Sequence, residues 1–367
     1  MELKVKRNEL VKGLAKLQSI VERKTTMPIL ANILINASGK SLTLTATDLE
    51  IGMKYSLPAE VLREGSVTIH ARSFYDIIKE LPESLITVEV GSDYSIKITC
   101  GDAKFKIMGL TSTDFPALPK VGKGEFQSIH SNDLKEMLDK TAFAMSTDET
   151  RYNLNGVLFE QTTDGLKMVA TDGHRLSIVE RNIPVKWDIG TRTGVIIPKK
   201  GVSELKKILE DSESVDLLVS EKYAVARYEG VELIIRLIDG QFPPYSQVIP
   251  KTARKKATVS KDAICKSLKL VSVLAMERGR GVKFTFSPKN LELLSSNPDM
   301  GEARDMLEVD YKGETFDVGF NGKYFLDALS VLPDEKITFD LGDDTSPCVI
   351  RSETDKGFAH IIMPMRL

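Results

Sequence analysis

Apolar residues Leu10, Val11, Leu14, Leu17 and Val21 recur at three- and four-residue steps, the spacing of one helical face. The stripe returns over 131–145 as Leu134, Met137, Leu138 and Met145, and over 260–275 as Ile264, Leu268, Val271 and Ala275. Asn8, Asn132 and Ser260 stand where N-caps are expected, because their short polar side chains can accept from the free amides of a first turn. After each helix comes the alternating pattern of short strands joined by Ser, Gly, Asp, Pro and Asn, as in LANILINASGKSLTLTATDLE, LNGVLFEQTTDGLKMVATDGH and GVKFTFSPKNLELLSSNPD.

A second apolar stripe follows in every copy: Phe74, Ile77, Ile78 and Leu81, then Val202, Leu205, Ile208 and Leu209, then Phe325, Ala328, Leu329 and Leu332. Short strands precede these helices, as VTIHAR, GVIIPKK and FDVGFN, and the first two copies close alike on DFPALP and QFPPYSQVIP. The chain is therefore a threefold repeat of about 110 to 130 residues per unit. The modules predicted are 1–121, 125–250 and 256–367, with GKGE and KTARKKA at the joins. Roughly twelve to eighteen strands must have their edges hidden by a closed or wrapped arrangement. The fold class is α+β, each module holding two helices packed on one face of antiparallel sheets.

Composition narrows the function. Hydrophobic residues make up 42% and charged residues 28%, a globular balance, and no apolar run reaches the length of a membrane span. Met1 to Lys6 alternates apolar and charged residues, which reads as a strand and not as a signal peptide. Cys100, Cys265 and Cys348 lie too far apart for a disulfide framework or metal knuckle, as befits reduced thiols in the cytoplasm. With a formal net charge of -2, nucleic-acid binding needs a local basic face. The polar sides of all six helices supply one, including Lys12, Lys16, Lys79, Lys135, Lys140, Lys206, Lys207, Lys261, Lys266, Lys269 and Lys323. Few aromatics and no helix-turn-helix accompany them, which favours phosphate attraction without sequence readout.

Catalytic chemistry finds little footing. Thr171-Asp172-Gly173-His174-Arg175 packs polar groups into one turn, but no nucleophile elbow accompanies it. His70, His130 and His360 have no second ligand at helical spacing, and Gly39-Lys40-Ser41 lacks the glycine and the helix of a phosphate loop. Neither metal nor cofactor is expected. Three readings stay open on the residues alone: a ring around duplex DNA, a repeat-containing enzyme centred on Asp172 and His174, and a phosphate binder that does not encircle DNA.

The chain resembles one family closely, the bacterial replicative sliding clamp, or beta subunit of DNA polymerase III. The resemblance spans essentially every residue and rests on MPIL at 27–30, TATDLE at 45–50, RYNLNGVLFE at 151–160, ATDGHRLS at 170–177, VIIPKKG at 195–201, DGQFPPY at 239–245 and MPMRL at 363–367. It implies a non-catalytic homodimer, a closed ring of six modules that holds double-stranded DNA and tethers the replicative polymerase, the clamp loader and other partners. Lys24, Arg72, Tyr152, Lys199 and Lys200 are then expected at DNA. A partner-peptide cleft between modules 2 and 3 is expected to include Leu154, Thr171, Gly173, His174, Arg175, Leu176, Pro243, Val248, Asn321, Tyr324, Ile361, Ile362, Met363, Pro364, Met365 and Arg366. Gln247 and Gly279 depart from the family pattern at that cleft, where relatives often carry arginine and a bulkier residue. Ring closure is expected to use Phe105, Ile107, Val273 and Leu274, with Lys104 facing an acid such as Glu302.

Overall fold

A computed structural model describes residues 1–22, 26–119, 124–250, 254–275 and 281–366. Six α-helices lie among these residues: α1 (Arg7–Leu17), α2 (Ala71–Glu80), α3 (Ser131–Asp139), α4 (Lys199–Asp211), α5 (Lys261–Ser272) and α6 (Gly322–Ser330). Each falls on a predicted stripe. Twenty-five strands occur among the described residues, more than the dozen and a half expected, because most are only four to eight residues long.

Ser260 caps α5 as predicted, its hydroxyl accepting from the Ala263 amide at 3.5 Å. The other two cap assignments are corrected. Lys6 precedes α1 without a side-chain cap and Asn8 lies inside the helix, while α3 already begins at Ser131. The strand Glu2–Lys6 feeds α1 directly, so the helix starts where the strand's register ends. His70 and Asn321 cap α2 and α6 instead, accepting from Ser73 N at 3.3 Å and Lys323 N at 3.0 Å.

The strands form four antiparallel sheets, distributed over two compact units. The first unit (1–132, 187–190 and 203–237) has a five-stranded sheet in the order Glu60–Arg63, Glu2–Lys6, Leu85–Val90, Ser95–Cys100, Ala103–Met108. Its eight-stranded sheet runs Gln127–His130, Ser214–Val219, Tyr223–Tyr228, Val231–Arg236, Ile51–Pro58, Ser41–Thr47, Asn32–Ser38, Gly65–His70. The two repeats meet where Ile51 pairs with Ile235 and Tyr55 with Val231.

The second unit (133–186, 191–202 and 238–367) repeats the plan. Its eight strands run Gly194–Pro198, Gly156–Gln161, Leu166–Thr171, Arg175–Arg181, Phe358–Ile362, Cys348–Arg351, Lys336–Leu341, Lys255–Ser260. Here the join pairs Arg175 with Ile362 and Val179 with Phe358. A four-stranded sheet completes it, in the order Gly301–Glu308, Asn290–Asn297, Gly281–Ser287, Phe316–Asn321. Compactness therefore cuts through the middle repeat, whose strands are shared between two sheets.

The helices bury their predicted stripes. Leu10, Leu14 and Leu17 of α1 pack with Phe74 and Ile78 of α2, and Ile264, Leu268 and Val271 of α5 pack beside Phe325, Ala328 and Leu329 of α6. Phe325 is the hub of the second unit's core, its ring 4.9 Å from Phe284, 5.3 Å from Phe320 and 5.5 Å from Phe339. Edge-to-face and offset rings of this kind add to the burial of their area. No helix is long and apolar enough to cross a membrane among the described residues.

Candidate partner cleft and nucleic-acid face

The turn 171–175 is built by its own side chains. Asp172 Oδ1 accepts from the amides of His174 at 2.9 Å and Arg175 at 3.0 Å, and Thr171 Oγ1 accepts from Gly173 N at 3.0 Å while donating to Arg175 O. Gly173 takes φ 89°, a left-handed conformation that suits glycine. The Asp172 carboxylate is thus committed to the turn, which explains its place beside His174 without catalysis.

Arg175 is the anchor of the site. Its side chain is buried, with Nε 3.1 Å from Asp172 Oδ2 and Nη1 2.6 Å from Asp327 Oδ2, and Nη2 donates to Phe143 O. The guanidinium also lies 4.5 Å from the centroid of Tyr324 and 5.5 Å from that of Phe143. A planar cation with five donors can satisfy two carboxylates and a carbonyl while stacking on aromatic faces, which lysine cannot do. Burial, with Asp172 nearby, pushes the Tyr324 hydroxyl above its ordinary range.

His360 lies in the same core, its ring 5.3 Å from Phe143, and neither ring nitrogen has a hydrogen-bond partner. Burial, reinforced by Arg175, pushes its pKa down to about 3. The ring is a neutral filler. A second polar knot lies on α3: Lys140 pairs with Glu136 and Asp355, and Arg181 reaches both acids at 3.0 and 2.6 Å. Lys140 is only 4% exposed, so its assignment to the basic polar side of the helices is corrected. Its ammonium is held between Glu136 of α3 and Asp355, where charge pairing offsets the cost of burial.

The terminal segment runs along the wall of the candidate cleft. Met363 N donates to His174 O at 2.9 Å and Met365 N to Gly319 O at 2.9 Å, so 363–366 runs on from the strand Phe358–Ile362. Leu176 and Ile361 are buried in one cluster with Leu158, Ile178, Ile196 and Val349, and Leu154 is also buried. Met363 and Val248 remain 37% and 42% exposed, which leaves apolar surface at the rim. A concavity of about 830 Å³ joins Gln247, Val248 and Met363 to Ile249, Pro250, Arg254, Lys256, Asp340, Val349 and Arg351. Pro243 lines a neighbouring hollow of about 770 Å³ with Phe242 and Tyr245.

Thr171, Gly173, His174, Arg175, Leu176, Ile361, Ile362 and Met363 thus share adjoining strands and one turn, with Asn321 and Tyr324 at the start of α6. Pro364, Met365 and Arg366 extend that wall. Gly279 lies outside the described residues. The sequence reading missed Val349, Lys256 and Arg351, which come from strands without a cleft motif, and Arg254 just before one of them. Asp327 and Phe143 were also missed as Arg175's partners; helical spacing put Asp327 on the polar side of α6, a faint signal.

Among the residues expected at DNA, Arg72 opens α2 with a 68% exposed side chain, 3.8 Å from Asp76. Tyr152 is 58% exposed, and Asn155 links it to α4, its amide donating to Tyr152 O at 3.1 Å and its carbonyl accepting from Lys199 N at 2.9 Å. Lys199 and Lys200 begin α4, where Tyr152 and Lys199 share one local scaffold. Lys24 lies outside the described residues. Elsewhere the helix lysines are unequal: Lys266, Lys269 and Lys323 are exposed, while Lys207 pairs with Glu204 at 2.7 Å and Lys261 spends its ammonium on Leu332 O at 2.7 Å.

Three family models match the chain in succession: the DNA polymerase III beta subunit N-terminal domain over 1–119, its central domain over 128–244 and its C-terminal domain over 246–366. The chain belongs to the DNA polymerase III beta subunit family. It is 35% identical to the beta sliding clamp of Caulobacter vibrioides over 374 residues and 32% identical to that of Pseudomonas putida over 371, covering 100% of both partners in each pair. Its fold is similar to a crystal structure of the DNA polymerase sliding clamp from Caulobacter crescentus, with TM-score 0.95, 34% identity and full coverage of both chains. A sliding clamp from Bartonella birtlesii bound to griselimycin is similar at TM-score 0.94 and 35% identity, again with full coverage. Family membership accounts for the threefold plan.

Proposed function

We propose that this protein is a replicative processivity clamp: two chains close into a ring that encircles double-stranded DNA, slides without sequence preference and tethers the polymerase. The observation that carries this reading is the match of all three repeats, over the whole chain, to the beta subunit family. The modules 1–121, 125–250 and 256–367 are its working units, in the cytoplasm, with no chemistry of their own. Arg72, Tyr152, Lys199 and Lys200 meet the phosphate backbone, Lys24 joins them, and the wall around Arg175 and Met363 takes short peptides of partners. Gln247 lies exposed on that wall, giving it a neutral hydrogen-bonding rim.

Each unit offers one end for ring closure. Ala103–Met108 is the edge of the five-stranded sheet, and its Phe105 and Met108 are 38% and 65% exposed, with Ile107 half-buried and Lys104 exposed. In the other unit Gly301–Glu308 is an edge strand bearing Glu302 and Met306, and Val273 at the end of α5 is 74% exposed beside half-buried Leu274. Exposed edges with apolar side chains invite pairing with another copy. Lys104→Glu combined with Val273→Ser and Leu274→Ser is expected to give monomers in analytical ultracentrifugation, and an intact dimer would contradict the interface.

Retention on DNA tests the ring itself. The loaded protein is expected to stay on closed circular DNA and to leave once the circle is cut. Equal, salt-dependent binding to both forms would instead describe a simple phosphate binder.

A further inference from the structure

We infer that the cleft has a basic annex, formed by Arg254, Lys256 and Arg351, which selects partner peptides carrying acidic residues beside their apolar anchor. The inference rests on the peptide-binding reading of the cleft and deepens it. The concavity that holds Val248 and Met363 continues onto the strands Lys255–Ser260, Lys336–Leu341 and Cys348–Arg351, where Lys256, Arg351 and, just before the first strand, Arg254 line it with a single acid, Asp340. Three positive groups against one negative leave a local excess in a chain whose net charge is -2.

The pairings do not remove that excess. Arg351 Nε donates to Asp340 Oδ2 at 2.8 Å, which uses the one acid on the wall. Lys256 stands 4.0 Å from Asp340 Oδ1 and Arg254 4.0 Å from Asp343 Oδ2, both at the limit of an ion pair. The side chains of Arg254 and Lys256 are 78% and 71% exposed, so both heads can reach a ligand. Asp343 is held by its own turn, its Oδ1 accepting from Thr345 N, Thr345 Oγ1 and Ser346 Oγ at 3.1, 2.8 and 2.7 Å. An arriving carboxylate therefore meets cations whose neighbours are already committed.

The geometry also separates two tasks. Apolar rim atoms of Val248 and Met363 hold an anchor without regard to charge, and the annex then discriminates among flanks. Lysine and arginine on flexible stems, open to water, contribute modestly each and are screened by salt.

The test uses the full-length protein and two synthetic peptides that share a Leu-Phe anchor and differ only in Asp or Asn at two flanking positions. Fluorescence anisotropy at low salt is expected to give the Asp peptide about five- to tenfold tighter binding, the sum of two exposed ion pairs. In the Arg254→Ser, Lys256→Ser double variant the two peptides are expected to bind alike, with the Asn peptide unchanged from wild type. Equal affinities in the wild-type protein would overturn the annex while leaving the cleft intact. No binding of either peptide would overturn both. A variant that loses retention on circular DNA and shows no change in peptide preference would assign these cations to phosphate and also defeat the proposal.

Discussion

The turns at 47–51 and 171–175 are the same device used to opposite ends. In both, threonine accepts from the residue two on and donates back across the turn, as Thr47 Oγ1 does to Ile51 O at 2.9 Å. In both, an aspartate caps two amides, and the next strand docks on the fourth residue's carbonyl: Arg236 N on Glu50 O at 2.8 Å, Met363 N on His174 O at 2.9 Å. Yet in the first unit Leu118 packs where a Cβ on Gly52 would stand, 2.3 Å from its Cδ2, and joins Phe126 and Tyr223 against Leu218, Val225 and Ile234. In the second, Leu176 occupies the position of Gly52, Arg175 that of Ile51, and Val248 stays at the rim. One copy fills its groove with its own chain. The other leaves Val248 and Met363 exposed at the rim, and buried Arg175, paired with Asp172 and Asp327, ties the turn to α6.

The sharpest way to break the comparison is at Arg175. Arg175→Ala strands the carboxylates of Asp172 and Asp327, and unfolding in urea is expected to show a loss of about 3–5 kcal/mol. A loss below about 1 kcal/mol would mean that the wall stands without it.

Acid should act on the second unit through His360. Its pKa is about 3 in the folded chain against 6.5 unperturbed, so the unfolded chain binds the proton first as pH falls. The stability it confers is complete above pH 6.5 and is lost toward pH 3, at up to about 1.4 kcal/mol per pH unit. Asp355 and Glu136, held low by hydrogen bonds and ion pairs with Arg181 and Lys140, are expected to steepen the loss as pH falls through the carboxylate range. His360→Leu should flatten the slope between pH 6 and 5 in pH-resolved urea melts (roughly one pH unit in which carboxylates contribute little). An unchanged slope there would remove His360 as the cause.

Leu118→Ala should open the first groove. A half-buried leucine is expected to cost about 1–2 kcal/mol, below the range for full burial, and to raise binding of a hydrophobic dye. No gain in dye binding would show that the groove closes by other means.

The smallest effects concern the left-handed position. Leu49 takes φ 78° and is 51% exposed, where Gly173 takes φ 89°. Leu49→Gly is expected to stabilise by about 0.5–1 kcal/mol and Gly173→Ala to destabilise by about 1 kcal/mol in thermal melts. Effects of the same sign would break the equivalence of the two turns.

Much of this fold is legible in the linear pattern. Helix stripes such as Leu10, Leu14, Leu17 and Ile264, Leu268, Val271 state which face is buried, because an apolar face must leave water whatever it packs against. The turn chemistry of Thr-Asp-x-x is local and can be read from either copy. That the ATDGHR turn and the MPMRL terminus share one candidate wall was implied by motif resemblance, and the two do adjoin, whereas the distant polar partners nearby were not legible. Asp327, Phe143 and Asp355 lie 152, 32 and 215 residues from the groups they hold, and no spacing rule spans such distances.

Lysine shows the same division. The sequence by itself determined that lysines recur on the polar sides of the helices, since periodicity separates them from the core. Only the tertiary structure decided that Lys140 is buried among acids while Lys266 is open, and that Leu118 fills one groove while Val248 edges another. Periodicity is a property of neighbours along the chain; whether a face meets water, a carboxylate or another strand depends on what distant segments bring to it.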